Sequence, residues 1–157
     1  GCKVTRGEEE RVDRWLAVIG ARNLLEGDLL IADFGSAVNI EFLASDNRYL
    51  GGMILPGRSL MHHSLVGGTA MEVTELAPFN GQLGESTQAA ISSGVLSALT
   101  GALDKAMQFA EKQHKREWRV IITGGDASML APYLSDEYIL EPNVVFIGMS
   151  EVVNWQG

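Results

Sequence analysis

The sequence predicts an α/β protein built on one mixed sheet. Three features carry the prediction. An amphipathic stretch is followed by three short apolar runs separated by turn signals. A long run rich in alanine and small residues reads as a single extended helix. A second buried strand, Arg119–Thr123, then runs into a small-residue turn. The order helix, three strands, helices, strand, helix fits a layered α/β domain. The 157 residues suffice for one domain, residues 1–157, with a sizeable core.

Each element has a local reason. In Glu8–Ala21, apolar Val12, Trp15, Leu16 and Ile19 recur at spacings of three and four, the period of an amphipathic helix. Leu29–Ala32, Ala37–Ala44 and Arg48–Ile54 read as strands, with Asp46-Asn47 as the hairpin turn between the last two. Pro56-Gly57 punctuates the chain, and Ser59–Val66 reads as a helix ended by Gly67-Gly68. Pro78–Gly84 is loop. From Ser86 to Lys115 the sequence predicts the longest helix, with Ala89, Ala90, Val95, Leu99, Leu103, Met107 and Ala110 near one face. Gly94 and Gly101, seven apart, would let another element approach it closely. Ala127–Leu134 is predicted helical. Val144–Val153 fits either a strand followed by a helix or one apolar helix.

Composition narrows the function. An apolar fraction of 46% with 20% charged residues is that of a globular protein, and no apolar run reaches the roughly 20 residues of a membrane helix. The net charge of −8 argues against a nucleic-acid binder. It also means that a bound polyphosphate needs local cations or aimed N–H groups. The one cysteine, Cys2, excludes an intrachain disulfide and points to the cytoplasm. The start, GCKVTRGEEE, shows no signal peptide and no initiator Met, which suggests a processed or truncated chain. His62 and His63 are adjacent and lack partners at ligand spacing, so a solvated or interface role is expected rather than zinc.

The chemistry concentrates at two turns. In LLIADFGSAVNIEF (Leu29–Phe42) an apolar strand ends in Asp33, turns at Gly35-Ser36 and re-enters an apolar run. Such a turn presents backbone N–H groups to an anion, with a carboxylate beside it. RVIITGGDASML (Arg119–Leu130) repeats the pattern of strand, small-residue turn and helix start. Two such turns suggest a nucleotide site. No Gly-x-x-x-x-Gly-Lys-Ser/Thr loop and no Gly-x-Ser-x-Gly elbow is present.

Six segments in order resemble type III pantothenate kinases, members of the superfamily of actin, sugar kinases and chaperone ATPases. VDRW (Val12–Trp15) is similar to the family's Gly-x-Asp-Arg segment, and DFGSA (Asp33–Ala37) to its Asp-x-Gly-Thr-Ala phosphate motif. LGGMILPGRSLM (Leu50–Met61) resembles its Gly-Gly-x-Ile-x-Pro-Gly segment. GTA (Gly68–Ala70), GESTQAAISSGV (Gly84–Val95) and TGGDA (Thr123–Ala127) resemble three more blocks. The resemblance implies a ribonuclease H-like, actin-like ATPase domain, the C-terminal lobe of such a kinase. It also implies ATP-dependent phosphorylation of pantothenate to 4′-phosphopantothenate, the entry to coenzyme A synthesis.

The resemblance assigns roles to particular residues, and each has a plainer reading. Asp13 would be the base at the pantothenate hydroxyl, or a solvated helix carboxylate. Arg14 would clamp the substrate carboxylate, or remain a solvated cation. Asp33 would face Mg²⁺, with Gly35, Ser36 and Ala37 around the phosphate, or would cap its own turn. Gly51, Gly52, Pro56 and Gly57 would shape a wall against substrate, or simply exit a hairpin. Thr69 would bond the pantothenate amide, or cap a helix. Gly124, Gly125 and Asp126 would form the adenosine platform, with Asp126 alternatively a helix cap. Glu41 stands where the family carries an Asp implicated in binding K⁺ or NH₄⁺.

The departures from the family are specific. Its first phosphate motif, Asp-x-Gly-Asn-Thr, is absent from these residues. Arg11 replaces a Gly, Ser36 a Thr, and Asn39 and Glu41 a Thr and an Asp. Met71-Glu72-Val73 replaces a Gln-Leu-Pro-like stretch. Two expectations follow. The chain is a kinase lobe completed by a partner chain carrying the first motif, or by a homologous protomer. Alternatively, it is a degenerate structural or regulatory subunit. Family dimers and the small residues of the long helix predict association.

Overall fold

The computed structural model describes residues 6–68, 75–135 and 137–154, with side chains from Val12 onward. Five strands form one sheet in the order β3-β2-β1-β4-β5. β1 (Leu29–Phe34), β2 (Ala37–Leu43) and β3 (Tyr49–Pro56) make an antiparallel meander. β4 (Arg119–Thr123) runs parallel to β1 on its other side, and β5 (Tyr138–Leu140) parallel to β4. The central strands are buried on both faces, so β1 and β4 read as nearly unbroken apolar runs.

Alternation along the strands sorts the core into two layers. Leu30, Ala32, Phe34, Val38, Ile40, Val120 and Ile122 face α3 (Thr87–His114), whose Ile91, Val95, Leu99 and Leu103 cover them. Leu29, Ile31, Leu43 and Ile121 face the other way, against Ala17, Val18 and Ala21 of α1 (Arg6–Leu24) and Val144 of α5 (Val144–Asn154). α2 (Arg58–Gly68) packs beside α3. Of the adjacent histidines, expected to be solvated or at an interface, His62 is buried at 7% exposure and His63 is exposed.

Several expected boundaries shift for identifiable reasons. Ser86 caps α3, accepting a hydrogen bond from the Ala89 N–H at 3.2 Å, and Lys115 ends it in the left-handed region at φ 49°. The helix expected over Ala127–Leu134 divides into α4 (Ala127–Leu130) and a 3₁₀ turn, Ala131–Tyr133, because Pro132 lacks the N–H an α-helix needs. Val144–Val153 resolves as helix. β5 was not foreseen; three residues are too few for alternation to register.

Close helix packing occurs elsewhere than expected. A Cβ at Gly94 or Gly101 would meet nothing within 4 Å. The tight crossing is between α1 and α5, where a Cβ on Gly20 would overlap the Val144 carbonyl and one on Gly148 the Leu16 carbonyl. This pair of glycines lets α1, which carries Asp13 and Arg14, cross α5 at close range.

Candidate active site

The parallel neighbours β1 and β4 end side by side, with Asp33 opposite Thr123 in register. Ligands of open α/β sheets settle beyond such carboxyl ends. Three turns meet there. The β1–β2 turn carries Gly35 and Ser36. Its Ser36 carbonyl accepts the Gly57 N–H at 2.8 Å, which seats Pro56-Gly57 behind it. The β4–α4 turn leans on β1 as well, the Asp126 N–H donating to the Phe34 carbonyl at 3.0 Å.

Gly124 is where this convergence is tightest. Its φ of +96° belongs to the left-handed region, and a Cβ there would lie 2.5 Å from both Asp33 Oδ1 and the Phe34 carbonyl. The expected phosphate turn and adenosine turn are therefore in contact, through Asp33 and Gly124. Ala37 follows at the start of β2, opposite Pro56. Gly125 faces open space. Among the described residues the Gly35 N–H is bonded to the Ala37 carbonyl at 3.1 Å, whereas the Ser36 N–H and hydroxyl have no protein partner. Ser36 is the member of this turn with free donors for an anion.

Asp33 is mostly buried, and no described side chain or N–H donates to its carboxylate. Burial pushes its pKa above the usual carboxylate value, and the nearby charge of Asp13 adds to the rise. α1 thus delivers Asp13 beside Asp33. Two neighbouring carboxylates with no counter-ion among the described residues suit Mg²⁺, which is commonly bound by one or two carboxylates together with water and substrate phosphates. Among the described residues no cluster of three or more acidic, His or Cys side chains forms a metal cage.

Arg14 and Glu41 make a second unit on the same face of the sheet. Glu41 Oε1 accepts from Arg14 Nε at 2.5 Å, and Oε2 from Arg14 Nη2 at 3.1 Å and the Tyr49 hydroxyl at 2.6 Å. The hydrogen bond to Glu41 raises the Arg14 pKa against the opposing effect of burial. Tyr49 is pushed up to about 12, mainly by burial and then by Glu41. Arg14, Trp15, Val18, Glu41 and Tyr49 line a pocket of about 140 Å³. Gly52, paired with Glu41 across the β2–β3 ladder, lies against Oε2; a Cβ there would overlap it. Gly51 and Gly52 both line a recess with Phe42, Met53 and Ala106 on the α3 side.

Sequence reasoning missed two residues and gave a third, Asn39, no place in the site. Tyr49 completes the Arg14–Glu41 unit. Asn39 sits directly across from Asp33 on β2. Arg58, at the start of α2, reaches Asp126 Oδ1 through Nε at 3.4 Å. Asp126 makes no side-chain cap to α4, so its carboxylate serves this ion pair rather than the helix. The signal for Arg58 was its place directly after Pro56-Gly57. Thr69 lies outside the described residues, as do Met71-Glu72-Val73 and the side chain of Arg11.

The chain is similar to proteins of one family. A family model for type III pantothenate kinase matches residues 3–108. The chain is 40% identical over 150 residues to the type III pantothenate kinase of Chromobacterium violaceum, covering 93% of this chain and 62% of that protein. It is 34% identical over 148 residues to that of Nitrosococcus oceani, covering 90% and 55%. The chain thus spans about three fifths of the length of the curated relatives it matches. Among solved structures, a Campylobacter jejuni protein described as a Baf family transcriptional activator superposes with a TM-score of 0.66 at 22% identity, covering 99% of this chain and 81% of that one. A Sinorhizobium meliloti protein described as a 2-dehydro-3-deoxygalactonokinase gives 0.57 at 18%, covering 98% and 61%. These two share the fold, a layered α/β domain on a mixed sheet. With the matched family model and relatives of this identity, the chain belongs to the type III pantothenate kinase family.

Proposed function

We propose that this chain is the lobe of a type III pantothenate kinase that carries the second phosphate motif and the substrate base. The reaction would be ATP plus pantothenate to ADP plus 4′-phosphopantothenate. The observation that supports it best is Asp33 at the end of β1, near Asp13 of α1, with no counter-ion among the described residues and with the free donors of Ser36 in the adjoining turn.

In this reading Asp13 accepts the proton of the pantothenate hydroxyl as its oxygen bonds to the γ-phosphorus, while the bond to the ADP oxygen breaks. Asp33 would hold Mg²⁺, which supplies charge neutralisation on the phosphates. Ser36 donates to a phosphate oxygen. Arg14 uses Nη1, the guanidinium nitrogen without a described partner, to grip the substrate carboxylate. Gly124 and Gly125 leave a flat backbone surface for the adenosine. The first phosphate motif is supplied from outside these 157 residues, in the same polypeptide or in a second chain. The site would work in the cytoplasm, where ATP is made; among the described residues no helix is long and apolar enough to cross a membrane.

A second copy is the proposed partner. Ala90, Gly94, Ser97 and Gly101 share one exposed face of α3, and the glycines have open space above them. Sedimentation at micromolar concentration should show a dimer; a monomer would count against it.

The test is ADP release dependent on pantothenate, measured with and without a polypeptide carrying Asp-x-Gly-Asn-Thr. Turnover is expected only with it. Full turnover by these 157 residues alone would overturn the need for that segment. One observation favours the second reading, a degenerate subunit: Arg14 and Glu41 are already engaged with each other. Calorimetry separates the two. A kinase lobe binds ATP or pantothenate once completed, and a scaffold binds neither.

A further inference from the structure

Glu41 is the one charged side chain buried in the described residues, at 2% exposure. A monovalent cation bound to it would need an open carboxylate oxygen. Neither is open. Oε1 is held by Arg14 Nε, and Oε2 is shared by Arg14 Nη2 and the Tyr49 hydroxyl. Gly52 lies against Oε2 so closely that even a methyl group would overlap it. An added cation would also meet the guanidinium charge with little water to screen it. The K⁺ or NH₄⁺ implied at this position therefore does not fit the residues present.

We infer that the Arg14 guanidinium is the resident counter-cation of Glu41, so that this protein dispenses with a monovalent cation at that carboxylate. Glu41 and Tyr49 are then positioning residues for Arg14. They fix the plane of its guanidinium through Nε and Nη2, and Tyr49 is itself braced by Trp15, the ring centroids 5.6 Å apart. The exclusion of the cation stands on this geometry alone. What Arg14 then grips, a substrate carboxylate, rests on the kinase reading above.

The test begins with the unmodified protein, so no variant has to fold. Its melting temperature is followed as potassium, ammonium or choline chloride is titrated at constant ionic strength. The expected result is the same melting temperature in all three. A saturable, potassium- or ammonium-specific rise that Glu41→Gln abolishes would overturn the inference. This readout does not depend on turnover, so it remains decisive if the kinase reading fails. Where turnover is measurable, Glu41→Gln should raise KM for pantothenate about tenfold with kcat nearly unchanged, and Tyr49→Phe should do so more weakly. An unchanged KM in Glu41→Gln would overturn the positioning role.

Discussion

Asp33 and Glu41 are diagonal neighbours on the same face of the same two strands, and the fold treats them in opposite ways. Asp33 pairs with Asn39, Glu41 with Ile31, two residues further along. Glu41 is the more deeply buried, yet every oxygen has a partner, two of the three bonds coming from a cation. Asp33 retains some solvent contact, has no described partner, and lies near another carboxylate. One acid is structural because its charge is answered inside the protein. The other stays unanswered, which is the condition for recruiting something from outside. A buried charge is tolerated when paired and hydrogen-bonded; an unpaired one shifts its pKa or awaits a ligand.

The largest expected effect breaks this comparison directly. Asp33→Asn should abolish turnover of the completed kinase while raising the melting temperature, because it removes a charge the fold disfavours. The sign follows from linkage. The folded-state pKa of Asp33 is raised, so its stabilising contribution is complete below the unfolded value near 3.8 and is lost as pH climbs through the folded value. The stability gain of Asp33→Asn should therefore be full at neutral pH and vanish on acidification. Glu41→Gln should lower the melting temperature instead. If both variants shift it in the same direction, the distinction between the two carboxylates fails.

Asp13→Asn comes next. Loss of the base should reduce kcat by roughly a thousandfold, within the usual range for general base catalysis. It also removes the repulsion on Asp33, so Mg²⁺-ATP affinity should change far less than kcat. A kcat within about tenfold of the parent would reassign the base.

Arg14→Met tests the other half. It leaves Glu41 buried without its cation and should destabilise by about 3 kcal/mol in urea unfolding. Adding Glu41→Met should recover most of that loss, since well-packed apolar pairs often replace buried ion pairs without penalty. Additive losses in the double variant would show that the two residues act separately.

The sequence disclosed the two halves of the site unequally, for physical reasons. Asp33, Gly35, Ser36 and Gly124 sit at strand ends in small-residue turns, a local pattern that reads directly from order. The meander of β1 to β3 and helices α1 and α3 were legible through period and turn chemistry. The Arg14–Glu41 pair spans 27 residues and joins a helix to a strand, so no local spacing announces it. Arg58 and Asp126 are 68 apart and meet only because Gly57 packs against the Ser36 turn. The ambiguity over Val144–Val153 had the same origin. An apolar run fits strand or helix, and Gly148 against the Leu16 carbonyl shows its function only once α1 and α5 cross. Long-range pairing decides these features, and it is invisible in a window of neighbours.

The smallest effect sharpens the comparison at its edge. The Tyr49 hydroxyl donates to Glu41 Oε2, and its pKa is pushed up to about 12 by burial and then by that carboxylate. The contribution of this hydrogen bond is complete below the ordinary value near 10 and is lost as pH rises through about 12. Tyr49→Phe should cost about 1 kcal/mol at neutral pH, a typical net value for one hydrogen bond. Because Arg14 still answers Glu41, the loss should stay well below that of Arg14→Met. The variant should also lack the alkaline step, so the advantage of the parent shrinks as pH rises from about 10 towards about 12. A loss equal to that of Arg14→Met would make the hydroxyl, rather than the guanidinium, the group that renders a buried Glu41 tolerable.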